Sequence, residues 1–391
     1  MSEAVGLYVH LPWCARKCPY CDFNSHVVAG ALPEARYVDA LLADLARELR
    51  DWPAPRVASV FIGGGTPSLF GAAAIARLLD GVAARLTLAG DCEITLEANP
   101  GSSEAGRFAG YRAAGVNRLS LGIQSFDDAA LAALGRVHDG AAARAAIGAA
   151  RAAGFDNLNL DLMFGLPGVV PETALTDLAR AIAYGPEHVS WYQLTLEEGT
   201  AFARKPPPLP AHDDIADVHD AGLAALAAAG YRHYEISAHA RAGRAARHNL
   251  NYWQFGDYLG IGAGAHGKQS VAAGVRRRVR VRSPARYLEC ALAGDAIDTE
   301  TLTTGADCVV EYALNALRLA DGFRLEDFER RTGLSAADPA FAGPLAAAEA
   351  RGWLERRDGR VAPTAAGFRF LTDLQLLFVD AEPAVATPAI A

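Results

Sequence analysis

Short apolar runs alternate with helical stretches through the first half of the chain. Gly6–Pro12 (GLYVHLP) is an apolar run stopped by proline and predicts a first strand. Ala35–Asp51 carries apolar residues at helical spacing and predicts an amphipathic helix. VASVFIGGGTPS then predicts a β-branched strand ending in Gly63-Gly64-Gly65-Thr66-Pro67. A helix over Gly71–Arg85, a strand over Cys92–Pro100, another helix and a strand over Asn117–Phe126 follow. Two Ala-rich helical stretches lead to a strand in Asn157–Gly168, and one more helix to a strand in His188–Thr200. Strands that alternate with helices in this way predict an α/β fold, a parallel sheet with helical crossovers.

The pattern changes after Ser270. Arg276–Arg286 (RRRVRVRSPAR) alternates arginine with valine, which predicts an edge strand with one charged, solvated face, with a propionate- or partner-binding patch as the lesser reading. From about Thr303 the periodicity is helical until WLERRDGRVAPT, where Asp358-Gly359 between two strand-like runs predicts a hairpin. Helices followed by such a hairpin predict a winged-helix-like module. Its many acidic residues favour a docking lid or partner surface over DNA binding. The Pro/Ala-rich end reads as a disordered tail.

The chain has 391 residues, 51% of them hydrophobic, enough for a large core; the length suits two or three domains or one α/β barrel with an appendage. A net charge of −8 argues against a general nucleic-acid binder. The first strand begins within ten residues of Met1 with no basic-then-apolar leader, and no apolar run approaches a membrane span of about 20 residues. A soluble, cytoplasmic protein is expected.

Six cysteines do not form a disulfide framework, since Cys92, Cys290 and Cys308 are scattered and the other three share one motif. Cys14, Cys18 and Cys21 stand in a C-x3-C-x2-C array on a loop after the first strand. Thiolates suit zinc or iron–sulfur clusters. A cube held by three cysteines leaves one iron open to an amine and a carboxylate. The alternatives are a zinc site completed by His26, or buried thiols.

In an α/β barrel, function gathers where strands end. The first strand delivers the cysteine loop, the second the glycine run, the third Glu97, the fourth Gln124 and the fifth Asp161. This regularity predicts one shared site. The glycines would let backbone approach a ligand, Thr66 adds a hydroxyl, and Glu97, Gln124 and Asp161 could accept from an ammonium and ribose hydroxyls. Arg136 could fork onto a carboxylate.

The cysteine array resembles the signature of the radical SAM enzymes, and the further motifs resemble their coproporphyrinogen-oxidase branch. The resemblance runs from Tyr8 through the C-terminal domain. It implies a partial (β/α)6 barrel, a [4Fe-4S] cluster on Cys14, Cys18 and Cys21, and S-adenosyl-L-methionine (SAM) contacts at Tyr8, Tyr20, Gly64, Gly65, Thr66, Glu97, Gln124, Arg136 and Asp161. True oxidases carry a fourth cysteine where this chain has Phe23, and a long N-terminal extension. CPYCDFNSH and the HNxxYW pattern of His248, Asn249, Tyr252 and Trp253 resemble the HemW-type heme chaperones instead. Such a protein would hold heme near that motif, with His248 as an iron ligand and His239 and His266 as weaker candidates, and pass it to an acceptor protein. The alternative is an oxidative decarboxylase of coproporphyrinogen III. One departure is Ala238-His239, where the family commonly reads Asn followed by Phe or Tyr. The expected organisation is a barrel over 1–235, a heme-motif segment and connection over 236–300, the winged-helix-like domain over 301–378 and the tail over 379–391. A homodimer and peripheral contact with membrane heme proteins stay open.

Overall fold

A computed structural model describes residues 4–52, 55–101 and 105–379; the tail beyond Val379 lies outside the described residues. Six strands form the expected series: β1 (Val5–Leu11), β2 (Arg56–Gly64), β3 (Thr87–Ala98), β4 (Arg118–Gln124), β5 (Leu158–Phe164) and β6 (His188–Gln193). All neighbours in this series pair in parallel, in registers such as Leu7 with Val60, Leu96 with Leu119 and Leu160 with Val189. Helical crossovers make that parallel arrangement possible.

The sheet does not stop at six strands. β7 (Arg232–Glu235), β8 (Ala238–Ala240), β9 (Tyr258–Ile261), β10 (His266–Val271), β11 (Gly274–Arg280) and β12 (Ile297–Thr303) extend it to twelve, in the order β12-β11-β10-β9-β1-β2-β3-β4-β5-β6-β8-β7. The segment read as a connection between domains therefore adds strands at both edges. β9 runs parallel to β1, and the other additions are antiparallel.

Alternation along the strands separates two environments. Leu119, Leu121 and Ile123 are fully buried in the main apolar core, while Ser120, Gly122 and Gln124 line a cavity. The same period-2 rule places Asp161 and Met163 on the cavity and Leu160 and Leu162 in the core.

The arginine-rich strand corrects the sequence expectation. β11 is paired on both sides, by β10 and β12, so it is not an edge. Arg278 and Arg280 are 6% and 0% exposed. Arg280 lies 2.8 Å from Asp44 and 2.8 Å from Glu48, and Arg278 reaches Glu48, Asp51 and Glu300. Asp44, Glu48 and Asp51 all sit on the helix Glu34–Asp51, so these arginines bolt the first crossover helix to the added strands. Buried guanidinium groups require such partners.

After β12 the chain forms helices Gly305–Ala316, Leu325–Thr332 and Pro339–Ala350, a hairpin, and helices Ala365–Arg369 and Leu371–Val379. Their own core includes Tyr312, Phe328, Phe341 and Phe378. The hairpin strands Leu354–Arg357 and Arg360–Pro363 turn at Asp358 and Gly359, whose φ values are 51° and 71°. Two left-handed residues are what a tight hairpin of this twist requires, which explains the Asp-Gly pair.

Candidate functional site

The cysteine loop is anchored to the glycine run. Gly65 N–H donates to the Leu11 carbonyl (2.8 Å) and Thr66 N–H to that of Trp13 (2.7 Å). A Cβ on Gly65 would lie 2.6 Å from the Trp13 carbonyl oxygen, and Gly64 has φ +120°. The glycines were expected to make room for a ligand. At Gly65 the room is taken by the protein's own cysteine strand, so it sets where Cys14 stands.

All three motif thiols are free and line one large cavity. Thr66 Oγ1 donates to Cys14 Sγ (3.4 Å), Arg136 Nη1 lies 3.7 Å from Cys18 Sγ, and Ser25 Oγ 3.8 Å from Cys21 Sγ. Donors placed around sulfur favour thiolate, the form that binds iron. Burial pushes the Cys14 and Cys21 thiols up, so a cationic partner is needed to hold them deprotonated. Among the described residues no three His, Cys, Asp or Glu side chains converge on a point that could hold a single ion. His26 Nε2 is engaged with Asn24 Oδ1 at 3.3 Å. This donor set fits a cube, whose cysteines bind separate irons, better than a mononuclear zinc site.

Beyond the cysteines the cavity is lined by Tyr20, Gly64, Gly65, Thr66, Glu97, Gln124, Arg136 and Asp161. Glu97 accepts from Gly64 N–H at 3.1 Å. Gln124 ends its strand with φ 66°, and Tyr192 hydroxyl donates to its Oε1 at 2.8 Å. Asp161 sits in the middle of β5, not at its end, and accepts from Ser120 (3.0 Å) and Asn159 (2.8 Å). The interior is open that deep because Ser120, Gly122 and Ser190, the inward residues beside it on the neighbouring strands, are small. Arg136 was expected to fork onto a ligand carboxylate. Its Nη2 is instead committed to Asn99 Oδ1 (2.6 Å) and the Gly122 carbonyl (2.9 Å), which directs the group toward Cys18. Tyr8 does not line this cavity; its hydroxyl meets His10 Nδ1 at 2.9 Å on the wall of a neighbouring 470 Å³ cavity.

Several lining residues were not singled out in the sequence: Asn99, Ser120, Ser190 and Tyr192. Each follows from the period-2 rule, two residues from Glu97, four from Gln124, and alternating within the sixth strand.

Burial, then the nearby Asp161, pushes Glu97 up to about 8 from 4.5. The folded, ligand-free protein thus holds a proton there that the unfolded chain releases above about pH 4.5. The stability contribution is complete at low pH and is lost as pH rises toward 8. Glu97→Gln keeps the acceptor for Gly64 and removes that loss. In cluster-free protein the variant is expected to match wild type near about pH 5 and to exceed it by a few kcal/mol near about pH 8. Thermal unfolding at the two pH values reads this, and equal gaps at both would refute a proton-holding Glu97. SAM affinity of the cluster-loaded variant should fall, because a neutral amide replaces a carboxylate acceptor.

The HNxxYW residues lie on the helix Arg247–Trp253. His248 is 3% exposed and stacks on Phe61 (4.7 Å) and Tyr8 (6.0 Å), with Tyr252 edge-on at 4.4 Å. Neither ring nitrogen has a hydrogen-bond partner among the described residues, and burial pushes the imidazole down to about 3. His248 lines neither cavity; Tyr252 lines the smaller one. Asn249 interacts with Tyr234, and Arg318 lies over the Trp253 ring at 4.2 Å. His266 lines the smaller cavity, and His239 is buried against His233 at 4.5 Å.

Fold and site together define the class. Residues 8–181 match the Radical SAM superfamily, and residues 304–370 match the HemN C-terminal domain. The solved structure of coproporphyrinogen III oxidase (HemN) from Escherichia coli superposes with a TM-score of 0.80 at 23% identity, over 96% of this chain and 90% of that one, and shows the same fold. Within that class, heme chaperone HemW from Escherichia coli is 44% identical over 96% of this chain and 98% of its own length. Heme chaperone HemW from Haemophilus influenzae is 46% identical over 85% and 87%. The chain belongs to the HemW family. The family's cofactors are a [4Fe-4S] cluster and SAM. Among the described residues no helix is long and apolar enough to cross a membrane.

Proposed function

We propose that this protein is a heme carrier that also binds a SAM-chelated [4Fe-4S] cluster and hands heme to an acceptor protein. The observation that carries the reading is the full-length likeness to proteins named heme chaperone HemW, joined to a site that keeps the radical SAM donor set. Cys14, Cys18 and Cys21 hold the cluster. When bound, the cluster offers one iron without a protein ligand, to which the amine and carboxylate of SAM can chelate. Gly64, Gly65 and Thr66 shape the near wall, Glu97 and Asp161 supply acceptors, and Tyr20, Gln124 and Arg136 position the remainder. Phe23 stands at the position of the oxidases' fourth cysteine and is 59% exposed on the rim of both cavities.

A second reading concerns the iron ligand. His248 has two buried, partnerless ring nitrogens, the state of an imidazole that lacks a ligand. Ligation there requires Tyr252 or Phe61 to swing aside, since both rings cover it.

An anaerobic heme titration of cluster-loaded protein, followed at the Soret band, tests the carrier reading. Saturation near one heme per chain is the expected outcome. Non-saturating uptake, together with protoporphyrinogen formed from coproporphyrinogen III at catalytic turnover, would replace it with the decarboxylase.

A further inference from the structure

A continuous chain of hydrogen bonds runs from Asp161, on the wall of the large cavity, to Asn249 on the motif helix Arg247–Trp253. Strand register builds its first part. Ser120 on β4 pairs with Asn159 on β5, and Asn159 with His188 on β6, so the three side chains meet in a row on one face of the sheet. Asp161 stands two residues beyond Asn159 and shares that face. Asn159 and His188 are sealed, at 2% and 0% exposed. Tyr234, buried on β7, carries the chain from His188 to the motif helix.

Every proton in the chain has one possible place. Asn159 Nδ2 donates to Asp161 Oδ1 (2.8 Å) and to Ser120 Oγ (2.8 Å). A flipped amide would set its oxygen against the Asp161 carboxylate. Asn159 Oδ1 is therefore the acceptor toward His188 Nδ1 at 2.6 Å, so Nδ1 carries the imidazole hydrogen. His188 Nε2 then holds a lone pair, and the Tyr234 hydroxyl at 2.8 Å must donate to it. The Tyr234 oxygen in turn accepts from the Asn249 side chain and from Ala246 N–H at 3.4 Å. Burial keeps both groups in these states: it holds the His188 imidazole neutral and the Tyr234 phenol protonated.

We propose that His188 and Tyr234 are positioning residues for the SAM site, and that Asn249 of the HNxxYW motif is the far end of the relay that aims Asp161. The assignment rests on the reading of Asp161 as a SAM acceptor. Its donors all point one way, from Asn249 through Tyr234, His188 and Asn159 to the carboxylate. Bonds in such a series polarise one another, and a charged terminal acceptor strengthens the whole run. Asn159 and Ser120 each occupy one Asp161 oxygen, which fixes the carboxylate plane and leaves acceptor capacity for a ligand in the cavity. A sheet interior filled only for packing would take apolar residues here, as it does at Leu158, Leu160 and Val189.

The experiment is a double-mutant cycle on SAM affinity, measured anaerobically without reductant on the full-length, cluster-loaded protein. The four forms are wild type, Tyr234→Phe, Asp161→Asn and the double variant. Tyr234→Phe keeps the ring and removes one hydroxyl outside the cavity. It is expected to weaken SAM binding by about threefold to tenfold. Asp161→Asn should weaken it as well, and the double variant should bind no more weakly than Asp161→Asn alone, because Tyr234 acts through Asp161. In protein with isotope-labelled histidine, nitrogen NMR should show a neutral Nδ1–H imidazole whose Nε2 resonance moves in Tyr234→Phe. Wild-type affinity in Tyr234→Phe, additive losses in the double variant, or an Nε2–H tautomer at His188 would overturn the relay while leaving Asp161 a SAM acceptor. Wild-type affinity in Asp161→Asn would overturn the acceptor reading and the relay with it.

Discussion

Cys18→Ala is expected to abolish cluster assembly. Anaerobically reconstituted wild type should hold about four irons per chain, and the variant should retain almost none, because a cube held by two thiolates has two of its irons without protein ligands. The substitution also removes the acceptor that Arg136 Nη1 meets at 3.7 Å and so leaves a half-buried guanidinium beside a gap. Iron and acid-labile sulfide assays, with the broad visible absorption of the cluster, read the result. Cys308→Ala is the matched control: Cys308 is buried in the C-terminal core, far in sequence from the motif, and should leave the iron content unchanged. Full iron loading in Cys18→Ala would refute the three-cysteine assignment, and zinc in place of iron and sulfide would restore the mononuclear reading.

Removing one buried arginine should cost a large share of the fold's stability. In Arg280→Met, Asp44 loses its only basic hydrogen-bond partner among the described residues, while both side chains are 0% exposed. Breaking a buried pair from one side costs about 3–5 kcal/mol, against a total stability of roughly 5–15 kcal/mol. Asp44 keeps the Tyr287 hydroxyl at 2.8 Å and Gly262 N–H at 3.3 Å, which soften the loss without cancelling the charge. Chemical denaturation at neutral pH measures it. A loss below about 1 kcal/mol would place Arg280 with the exposed pairs. Adding Asp44→Leu should recover part of the stability, but not all, since the Tyr287 and Gly262 donors then lose their acceptor.

The strand and helix series, the cysteine array and the Asp-Gly hairpin were legible because each depends on neighbours in the chain. Period-2 alternation fixed which of Ser120 to Gln124 would face inward, and two left-handed residues are encoded by the Asp358-Gly359 pair itself. Arg276–Arg286 was not legible in the same way. An alternating arginine strand looks like a solvated edge until Asp44, Glu48 and Asp51 arrive from a helix more than two hundred residues earlier. Gly65 was read as space for a ligand, yet its missing Cβ is filled by the Trp13 backbone. Arg136 was read as a carboxylate fork, yet Asn99 and Gly122 claim it.

By itself, then, the sequence determined the parallel α/β architecture, the three-cysteine loop and the set of polar residues aimed at one interior, because local periodicity and ligand spacing are written in consecutive residues. Tertiary structure alone decided that twelve strands share one sheet and that His248 is sealed behind Phe61 and Tyr252. Those facts depend on which distant segments come into contact, and contact between distant segments is set by assembling the whole sheet and packing its helices, not by the order of neighbouring residues.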